Sequence, residues 1–308
     1  MRQPAITVVP RRHMLTGMLA ACGTASLAPF SRALAQSPGA PLKGKRARPW
    51  KTLPPTPRLP RPVRSGLVSA NGARLFYAQY GPQHAPHVLL LHGGMGSSNY
   101  WGHLIEALSP AHAVTALDTR GHGRSPFVPG AAYTYKLLAD DAAAALAALG
   151  VPSAAVVGWS DGAIAALQMA VNHPARVTRV FAFGGNITLG GYKPNGSSAP
   201  VFVAYVRRCR AEYAELAPHP QQWPALLRAM GPMWRTDPGM ARPLLAALRV
   251  PVTVADGEHD EIIKREHSEM MARLIPGARL RMLPEVSHFA MLQKPDDFNR
   301  AVIEFLSG

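Results

Sequence analysis

The segment Val156-Val157-Gly158-Trp159-Ser160-Asp161-Gly162-Ala163 is the most informative part of the chain about its fold, because an apolar run ends there in Gly-x-Ser-x-Gly. Residues 154–157 form a short apolar run bounded by glycine, which is typical of a strand buried on both faces of a sheet. From residue 164 to 171 the apolar side chains recur at helical spacing instead. Ser160 is therefore predicted to lie in a sharp turn between a strand and a helix.

A serine in such a turn is suited to attack a carbonyl carbon. The turn forces strained backbone angles and needs neighbours without bulk, which Gly158 and Gly162 supply. Ser160 would also stand at a helix N-terminus, where unpaired N–H groups favour the negative charge that forms during acyl transfer. The alternative is an ordinary strand-to-helix turn, so further motifs are needed to decide between the two.

Composition indicates a globular chain whose charge is unevenly distributed. At 308 residues and 47% hydrophobic, it can bury a full core as one large α/β domain or two smaller ones. The net charge is +15, but 12 of the 33 lysines and arginines precede residue 65, which leaves 21 basic against 18 acidic residues. The body is thus nearly neutral. It has no basic stripe interleaved with aromatic residues, so we predict that the protein does not bind nucleic acid.

The N-terminus has the regions of an export signal in order. Arg11-Arg12 precede a modestly apolar stretch at 14–28, and Ala33-Leu34-Ala35 follows as a small-x-small cleavage site. The paired arginines resemble a twin-arginine leader, so residues 1–35 are expected to engage the export machinery and direct the protein to the periplasm or the exterior. The apolar stretch is too short and too diluted for a stable membrane span. A lipoprotein processing site at Cys22 is the alternative.

Cleavage after Ala35 would remove Cys22 and leave Cys209 alone, so no disulfide is expected within the mature monomer. Residues 36–64 are rich in proline and basic side chains and have little apolar surface to bury, which indicates an extended linker. The folded domain is expected to cover residues 65–308.

Short apolar strands alternate with helices along this domain. We predict strands at 67–69, 74–80, 87–91, 113–117, 154–157, 177–183, 250–254 and 278–283, the first two joined by a hairpin at Asn71-Gly72. Helices are predicted near 98–108, 134–149, 265–275 and 295–306. This order indicates an α/β fold with a mostly parallel sheet covered by helices on both faces. The alternation breaks at about 185–248, where a proline-rich stretch with helical pieces indicates an inserted lid.

A serine nucleophile needs a histidine base and a carboxylate that orients the histidine. His288 follows the last predicted strand, so it should emerge at the same end of the sheet as Ser160. The acid is expected in the loop at 256–261, where we select Asp260 over Asp256, which is closer to the strand and could instead end it. A triad acid could also be supplied directly after the strand predicted at 177–183. No Asp or Glu occurs between 184 and 211, so this alternative is excluded. No Cys-His cluster indicates a metal, and no cofactor is expected.

The chain order Ser160, Asp260, His288, together with the elbow and the His92-Gly93-Gly94 loop, resembles the α/β-hydrolase family. The motifs look most like its lid-bearing serine esterase branch, which includes valacyclovir-hydrolase-like enzymes. They depart from the dehalogenase and epoxide-hydrolase branches, whose elbow residue is an aspartate. The resemblance covers the chain from about residue 65 to its C-terminus.

The resemblance implies an oxyanion hole formed by the backbone N–H groups of Asp161 and Gly94, with Met95 as the second choice for the latter. It implies hydrolysis of a carboxylic ester, or a related acyl bond, of a small to medium apolar molecule. A cofactor-free haloperoxidase or perhydrolase activity is the alternative among enzymes, since that chemistry uses the same triad. A ligand-binding protein on a hydrolase scaffold is the alternative of another class.

Large side chains in the predicted lid are candidates for substrate contact. They are Tyr192, Tyr205, Trp223, Met230, Met233 and Trp234. Aromatic and methionine side chains make an apolar, adaptable pocket wall. We expect contacts from Trp159, Trp223, Met233 and Trp234, and from Asp237 if the acyl group carries a cation.

Overall fold

The computed structural model describes residues 48–308; the predicted export signal and the first part of the predicted linker lie outside this range. The strands are β1 Arg64–Ala70, β2 Ala73–Tyr80, β3 His87–Leu91, β4 Ala113–Leu117, β5 Ala154–Trp159, β6 Val177–Phe183, β7 Val252–Gly257 and β8 Arg279–Leu283. The helices are α1 Gly102–Leu108, α2 Tyr135–Ala148, α3 Asp161–Asn172, α4 Pro200–Leu216, α5 Trp223–Trp234, α6 Arg242–Ala246, α7 Arg265–Leu274, α8 Ala290–Gln293 and α9 Pro295–Ser307.

The eight strands form one sheet in the order β1-β2-β4-β3-β5-β6-β7-β8. β1 and β2 form the predicted antiparallel hairpin at the edge, and every pairing from β4 onward is parallel. Every residue of β5 is buried, as expected for a central strand covered on both faces. The mostly parallel sheet is therefore as predicted, and its carboxyl edge receives the loops after β3, β5, β6, β7 and β8.

Helices cover both faces of the sheet. α2 packs with α3 on one face, and α3 contacts β5 and β6. α1 packs with α9 on the other, where the ring of Phe298 lies 6.0 Å from that of Phe181 and 5.3 Å from that of Phe183, measured between centroids. Alternate residues of β6 can both reach α9 because side chains two apart point to the same face of a strand. The apolar core thus fixes β6 beside the elbow strand.

Residues 184–251, between β6 and β7, form the predicted insertion and contain α4, α5 and α6. The second half of the predicted linker, residues 48–63, begins with a 3-10 turn at Pro49–Lys51 and lies against the domain, with Leu53 and Leu59 packed on the core. The folded unit therefore begins earlier than the predicted boundary at Ser65. No helix within residues 48–308 is long and apolar enough to cross a membrane.

Candidate active site

The elbow has the predicted strained geometry. Ser160 has φ 56° and ψ −121°, a positive-φ conformation that side-chain-bearing residues rarely adopt. Its N–H donates to the carbonyl of Phe183 on β6 at 2.9 Å. A Cβ on Gly158 would collide with the backbone of Gly162, and one on Gly162 would collide with the carbonyl of Leu91. Only glycine at both positions lets the strand, the turn and α3 pack this closely, which holds the serine hydroxyl at the edge of the sheet.

His288 and Asp260 meet beside the elbow. Nδ1 of His288 lies 2.6 Å from Oδ2 of Asp260, and both side chains are buried. Asp260 is itself fixed, because its Oδ1 accepts the backbone N–H groups of Ile262 at 2.7 Å and Ile263 at 2.8 Å. An ionised carboxylate only accepts hydrogen bonds, so Nδ1 carries the proton and Nε2 is the free base nitrogen. Nε2 has no hydrogen-bond partner among residues 48–308, although Ser160 and His288 line the same cavity.

Charge pairing outweighs burial for this pair. Burial alone would raise the pKa of Asp260, but the neighbouring His288 and its hydrogen bond bring that pKa below its ordinary value. For His288, burial acts to lower the pKa, while Asp260 first, then Glu261 and Asp161, raise it above the ordinary imidazole value. The imidazolium that forms when His288 accepts a proton is therefore stabilised by carboxylates on more than one side.

Asp256, the alternative acid, has a different environment and does not contact His288. Its Oδ1 accepts the N–H of Gly257 at 2.8 Å, and its Oδ2 accepts the hydroxyl of Ser268 at 2.6 Å. Burial, and then the charge of Asp260, raise the pKa of Asp256 well above its ordinary range. A neutral Asp256 can serve as a structural hydrogen-bonding group, which leaves Asp260 as the charged partner of the histidine.

Two residues that the sequence did not single out complete this end of the site. Gly184 follows β6 with φ 61°, and a Cβ there would lie 2.8 Å from Cε1 of His288, so only glycine leaves room for the imidazole. Glu261 is half-buried, and its Oε2 accepts the backbone N–H of His288 at 3.3 Å. Burial, followed by the charge of Asp260, raises the pKa of Glu261 to about 7. A spacing rule could not identify Glu261, because it is one of four carboxylates in one short loop.

The loop after β3 lies against the elbow and is held from two directions. The N–H of Thr119 donates to Nε2 of His92 at 3.0 Å, so Nδ1 of His92 carries the proton and donates to the carbonyl of Gly93 at 2.8 Å. Both ring nitrogens of His92 are therefore used to hold the loop, and burial lowers the pKa of this histidine. From the lid side, the hydroxyl of Tyr205 on α4 donates to the carbonyl of Gly94 at 2.6 Å.

The candidate oxyanion donors lie at this junction. Gly94 faces the side chain of Asp161 so closely that a Cβ on Gly94 would overlap Oδ2 of Asp161. Met95 has φ 67°, so the loop turns away directly after Gly94. The backbone of Gly94 and the first residue of α3 thus border the same cavity as Ser160. This arrangement can present two N–H groups to a developing oxyanion.

The side chain of Asp161 is a buried carboxylate in the wall of the cavity. Oδ1 accepts the hydroxyl of Tyr135 at 2.9 Å, and Oδ2 accepts Nε1 of Trp234 at 2.8 Å. Burial raises the pKa of Asp161, although these two donors act in the opposite direction. The sequence prediction used only the backbone of this residue, and the charge of its side chain in the pocket was missed.

The cavity has a volume of about 460 Å³, in the range of small-molecule sites. Its wall is mixed rather than purely apolar, because Asp161, Lys193, Asn195 and Ser197 contribute polar groups. Lys193 also donates from Nζ to the backbone carbonyl of Asp260 at 2.5 Å. The complete lining is Gly94, Met95, Trp159, Ser160, Asp161, Tyr192, Lys193, Asn195, Gly196, Ser197, Phe202, Tyr205, Trp234, Ile262 and His288.

Three of the predicted substrate contacts do not line this cavity. Trp223 and Met233 are buried on the inner side of α5, where Trp223 packs on Tyr213 with ring centroids 5.2 Å apart. The spacing of the buried residues along α5 is that of one helix face turned to the core. Asp237 is exposed, and its Oδ1 accepts the N–H of Leu189 at 2.6 Å. Trp159 and Trp234, by contrast, line the cavity, and their contact with a substrate stays a prediction.

Comparison with known proteins gives the family. The family model described as "Alpha/beta hydrolase family" matches residues 88–301. The human protein "Serine hydrolase BPHL" is 28% identical over 263 residues, which cover 79% of this chain and 87% of that protein. A crystal structure of a hydrolase from Pseudomonas aeruginosa PA01 superimposes with a TM-score of 0.65 at 26% identity, covering 80% of this chain and 99% of that one. The structure titled "Est816 as an N-Acyl homoserine lactone degrading enzyme" superimposes with a TM-score of 0.60 at 27% identity, and the match covers 78% of this chain and 100% of that one.

Proposed function

The chain belongs to the α/β-hydrolase family, and we propose that it is a serine hydrolase that cleaves a carboxylic ester, or a related acyl bond, of a small to medium substrate. The observation that supports this most directly is the geometry of His288. Its Nδ1 is held by Asp260 at 2.6 Å, and its Nε2 is buried without a partner among the described residues. A base nitrogen in this state, in one cavity with a strained Ser160, is suited to accept a proton from the serine hydroxyl.

The proposed reaction proceeds through an acyl-enzyme. As Oγ of Ser160 attacks the carbonyl carbon, Nε2 of His288 takes the hydroxyl proton and Asp260 stabilises the imidazolium. The carbonyl oxygen becomes an oxyanion that accepts the N–H groups of Asp161 and Gly94. When the tetrahedral intermediate collapses, His288 returns the proton to the leaving alcohol. A water molecule, deprotonated by the same histidine, then attacks the acyl carbon. When this second intermediate collapses, the bond to Oγ of Ser160 breaks, His288 returns the proton to Oγ, and the acid is released.

A covalent probe and a turnover assay test this proposal together. We expect the hydroxyl of Ser160 to displace fluoride from a fluorophosphonate, so that the peptide containing Ser160 gains the mass of the probe less HF, and short-chain nitrophenyl esters to be turned over. The variant S160A should lose both the label and the turnover. Labelling of Ser160 without turnover would instead favour the ligand-binding alternative, and turnover that survives in S160A would overturn the proposed nucleophile.

Asp161 bears on the substrate class. Because its buried carboxylate lines the cavity within the first turn after Ser160, an acyl group with an amine near its carbonyl would gain a charge-assisted hydrogen bond there. An anionic acyl group would bring like charges together in a partly desolvated site. We therefore propose that amino-acyl esters are preferred over matched acyl esters without the amine, with Asp161 rather than Asp237 as the recognition group.

The test uses the ratio of kcat/KM for an amino-acyl ester to kcat/KM for its analogue without the amine. We expect this ratio to fall about tenfold or more in D161N, because one charge-assisted contact is removed. Using a ratio cancels any general effect of D161N on the neighbouring oxyanion hole. The exposed Asp237 provides the matched control, and D237N should leave the ratio unchanged. An unchanged ratio in D161N would exclude amine recognition by this carboxylate.

We also propose that the protein is exported. The support is the order of basic, apolar and small-x-small regions within residues 1–35, which lie outside the described part of the chain. N-terminal sequencing of the mature protein should give Gln36 as the first residue. A mature chain that begins at Cys22 would indicate lipoprotein processing instead, and an intact Met1 would contradict export with cleavage.

A further inference from the structure

Residues 48–63, here called the N-terminal strap, touch three separate parts of the candidate site. The strap contains the prolines at 49, 54, 55, 57, 60 and 62, which restrict its backbone before it binds. Less conformational entropy is therefore lost when an extended segment of this composition packs on the domain. The same proline content that predicts a linker also suits a stiff segment that binds along a surface.

The first contact is with the loop that carries the acid. The indole of Trp50 stacks on the imidazole of His259 with ring centroids 4.0 Å apart and an interplanar angle of 24°. His259 directly precedes Asp260, and its backbone N–H donates to the carbonyl of Val286 at 2.9 Å. The stack therefore covers a residue that joins the acid loop to the base loop.

The second contact is with the loop that carries the base. Nε2 of Gln293 donates to the backbone carbonyl of Thr52 at 2.9 Å and to the hydroxyl of Ser287 at 2.9 Å. Oε1 of the same side chain accepts the backbone N–H of Ser287 at 2.7 Å. Since Ser287 directly precedes His288, one glutamine connects the strap to the backbone of the base.

The third contact is with the lid helix α4. The guanidinium of Arg208 donates to the carbonyls of Leu53 at 2.7 Å and Pro54 at 2.5 Å, and the hydroxyl of Thr56 donates to Glu212 at 2.5 Å. On its buried side, α4 holds the carbonyl of Gly94 through Tyr205. The strap is thus joined through one helix to the loop that carries a candidate oxyanion donor.

We propose that the strap is a positioning element of the active site, which holds the acid loop, the base loop and the lid helix in register. This rests on the proposed hydrolase function. The strap residues touch no reacting group, so they act through His259, Gln293 and Arg208. The two ends should have different kinetic effects: the acid-loop end controls orientation of the Asp260–His288 pair, whereas the lid end controls the wall of the cavity.

Point variants in the full chain test this proposal. W50A removes the stack on His259 and should lower kcat about fivefold, a change that corresponds to the loss of one aromatic contact. KM should change little. R208A releases the lid helix and should raise KM about fivefold with a smaller change in kcat, because charge-assisted contacts to two carbonyls are lost. W50F, which keeps an aromatic ring over His259, should restore most of kcat.

Two control variants separate positioning from a general loss of stability. K51A removes an exposed side chain of the strap, and R210A removes an exposed arginine of α4, the helix that also carries Arg208. Both variants should have wild-type kinetics. All variants are assayed well below their measured Tm. If W50A and R208A lower Tm but keep wild-type kcat and KM, the strap is only a structural support and the proposal is overturned.

A readout that does not depend on turnover distinguishes failure of the two proposals. The amides of Ile262 and Ile263 donate to Asp260, so their hydrogen exchange should accelerate in W50A and stay at the wild-type rate in K51A. If the wild-type protein has no turnover that depends on Ser160, the hydrolase proposal fails, and the exchange rates still decide the role of the strap. Unchanged exchange in W50A would overturn the strap proposal whatever the activity.

Discussion

The carboxyl edge of the sheet and the lid insertion contribute to one cavity in different ways. At the sheet edge, backbone constraints determine where side chains lie: the angles of Ser160, the missing Cβ atoms at Gly158 and Gly162, and the amides that bind Asp260. In the lid, the position of a side chain depends on which way a helix faces. Trp234 lines the cavity, whereas Met233, its immediate neighbour, is buried in the core.

The residues proposed for chemistry and those proposed for specificity are held in place differently in this chain. Residues at the sheet edge are fixed by hydrogen bonds to several elements, so we expect their substitution to act mainly on kcat. Lid residues reach the centre through a few contacts, such as the hydroxyl of Tyr205 on Gly94, so their substitution should have smaller effects.

Removing the nucleophile or the base should cause the greatest loss. S160A and H288A should each reduce kcat by on the order of 10^4- to 10^6-fold, and the double variant should be little worse, because the two residues act as a unit. Steady-state kinetics with a nitrophenyl ester, alongside circular dichroism of each variant, measures this. Effects of the single variants that multiply in the double variant would mean that Ser160 and His288 act independently.

Substitutions of Asp256, which lies at the end of β7, and of Asp260, which lies in the loop after it, should differ sharply in their effects. D260N should reduce kcat by on the order of 10^4-fold, because an amide cannot stabilise the imidazolium and can favour the wrong tautomer. D256N should cost less than about tenfold, since the amide can replace a neutral carboxyl that is hydrogen-bonded to Ser268. Both variants make the same Asp-to-Asn substitution at positions four residues apart, so each controls for the other. A severe D256N with a mild D260N would reverse the assignment of the acid.

The difference between the sheet edge and the lid also determines how much of this site can be predicted from the sequence. Ser160, Asp260 and His288 are predictable because each follows a strand of a parallel sheet, and the carboxyl ends of such strands share one edge. The 3-4-3 spacing of Trp223, Leu226, Met230 and Met233 is that of a helix face turned to the core, so spacing, and not side-chain size, indicates where Trp223 and Met233 lie.

Other features depend on tertiary contacts that no local pattern encodes. The strap reads as a linker because prolines and basic residues are common in linkers, and its carbonyls are bound by Arg208, more than 150 positions away. Glu261 is one carboxylate among four in its loop, and only the path of the backbone brings it to His288. Asp237 lies in the lid, as the predicted recognition of a cation requires, but it is exposed to solvent. The carboxylate that lines the cavity belongs to Asp161 instead.

Tyr205 tests whether the lid reaches into the catalytic centre. Y205F removes the hydroxyl that donates to the carbonyl of Gly94 and should lower kcat about fivefold, the effect of one neutral hydrogen bond, with KM less affected. Y213F is the matched control, because Tyr213 is also buried on α4 but packs against Trp223. It should keep wild-type kcat. Equal losses of kcat in both variants would attribute the effect to packing within the lid rather than to the hydrogen bond with the loop that contains Gly94.

The smallest expected effect is a shift of the pH profile caused by Glu261. As the base, His288 must be unprotonated, so kcat/KM should rise with pH as His288 loses its proton. Asp260, Glu261 and Asp161 all raise the pKa of His288, which moves this rise to a higher pH than an ordinary imidazole would give. E261Q keeps an oxygen that can accept the N–H of His288 but removes the charge, so the rise should move to lower pH while the plateau is nearly unchanged.

The control for E261Q is Glu258, which is exposed in the same loop and accepts the N–H of Glu285 at 2.9 Å. Its charge is more strongly screened by solvent, so E258Q should leave the profile in its wild-type position. Measuring kcat/KM from pH 5 to 9 at constant ionic strength separates the variants. A lower plateau for E261Q without a shift would mean that Glu261 orients the backbone of His288 and that its charge has no influence on the base. A shift of the profile to higher pH would contradict an influence of the Glu261 charge on His288, because loss of a nearby negative charge can only favour the neutral imidazole.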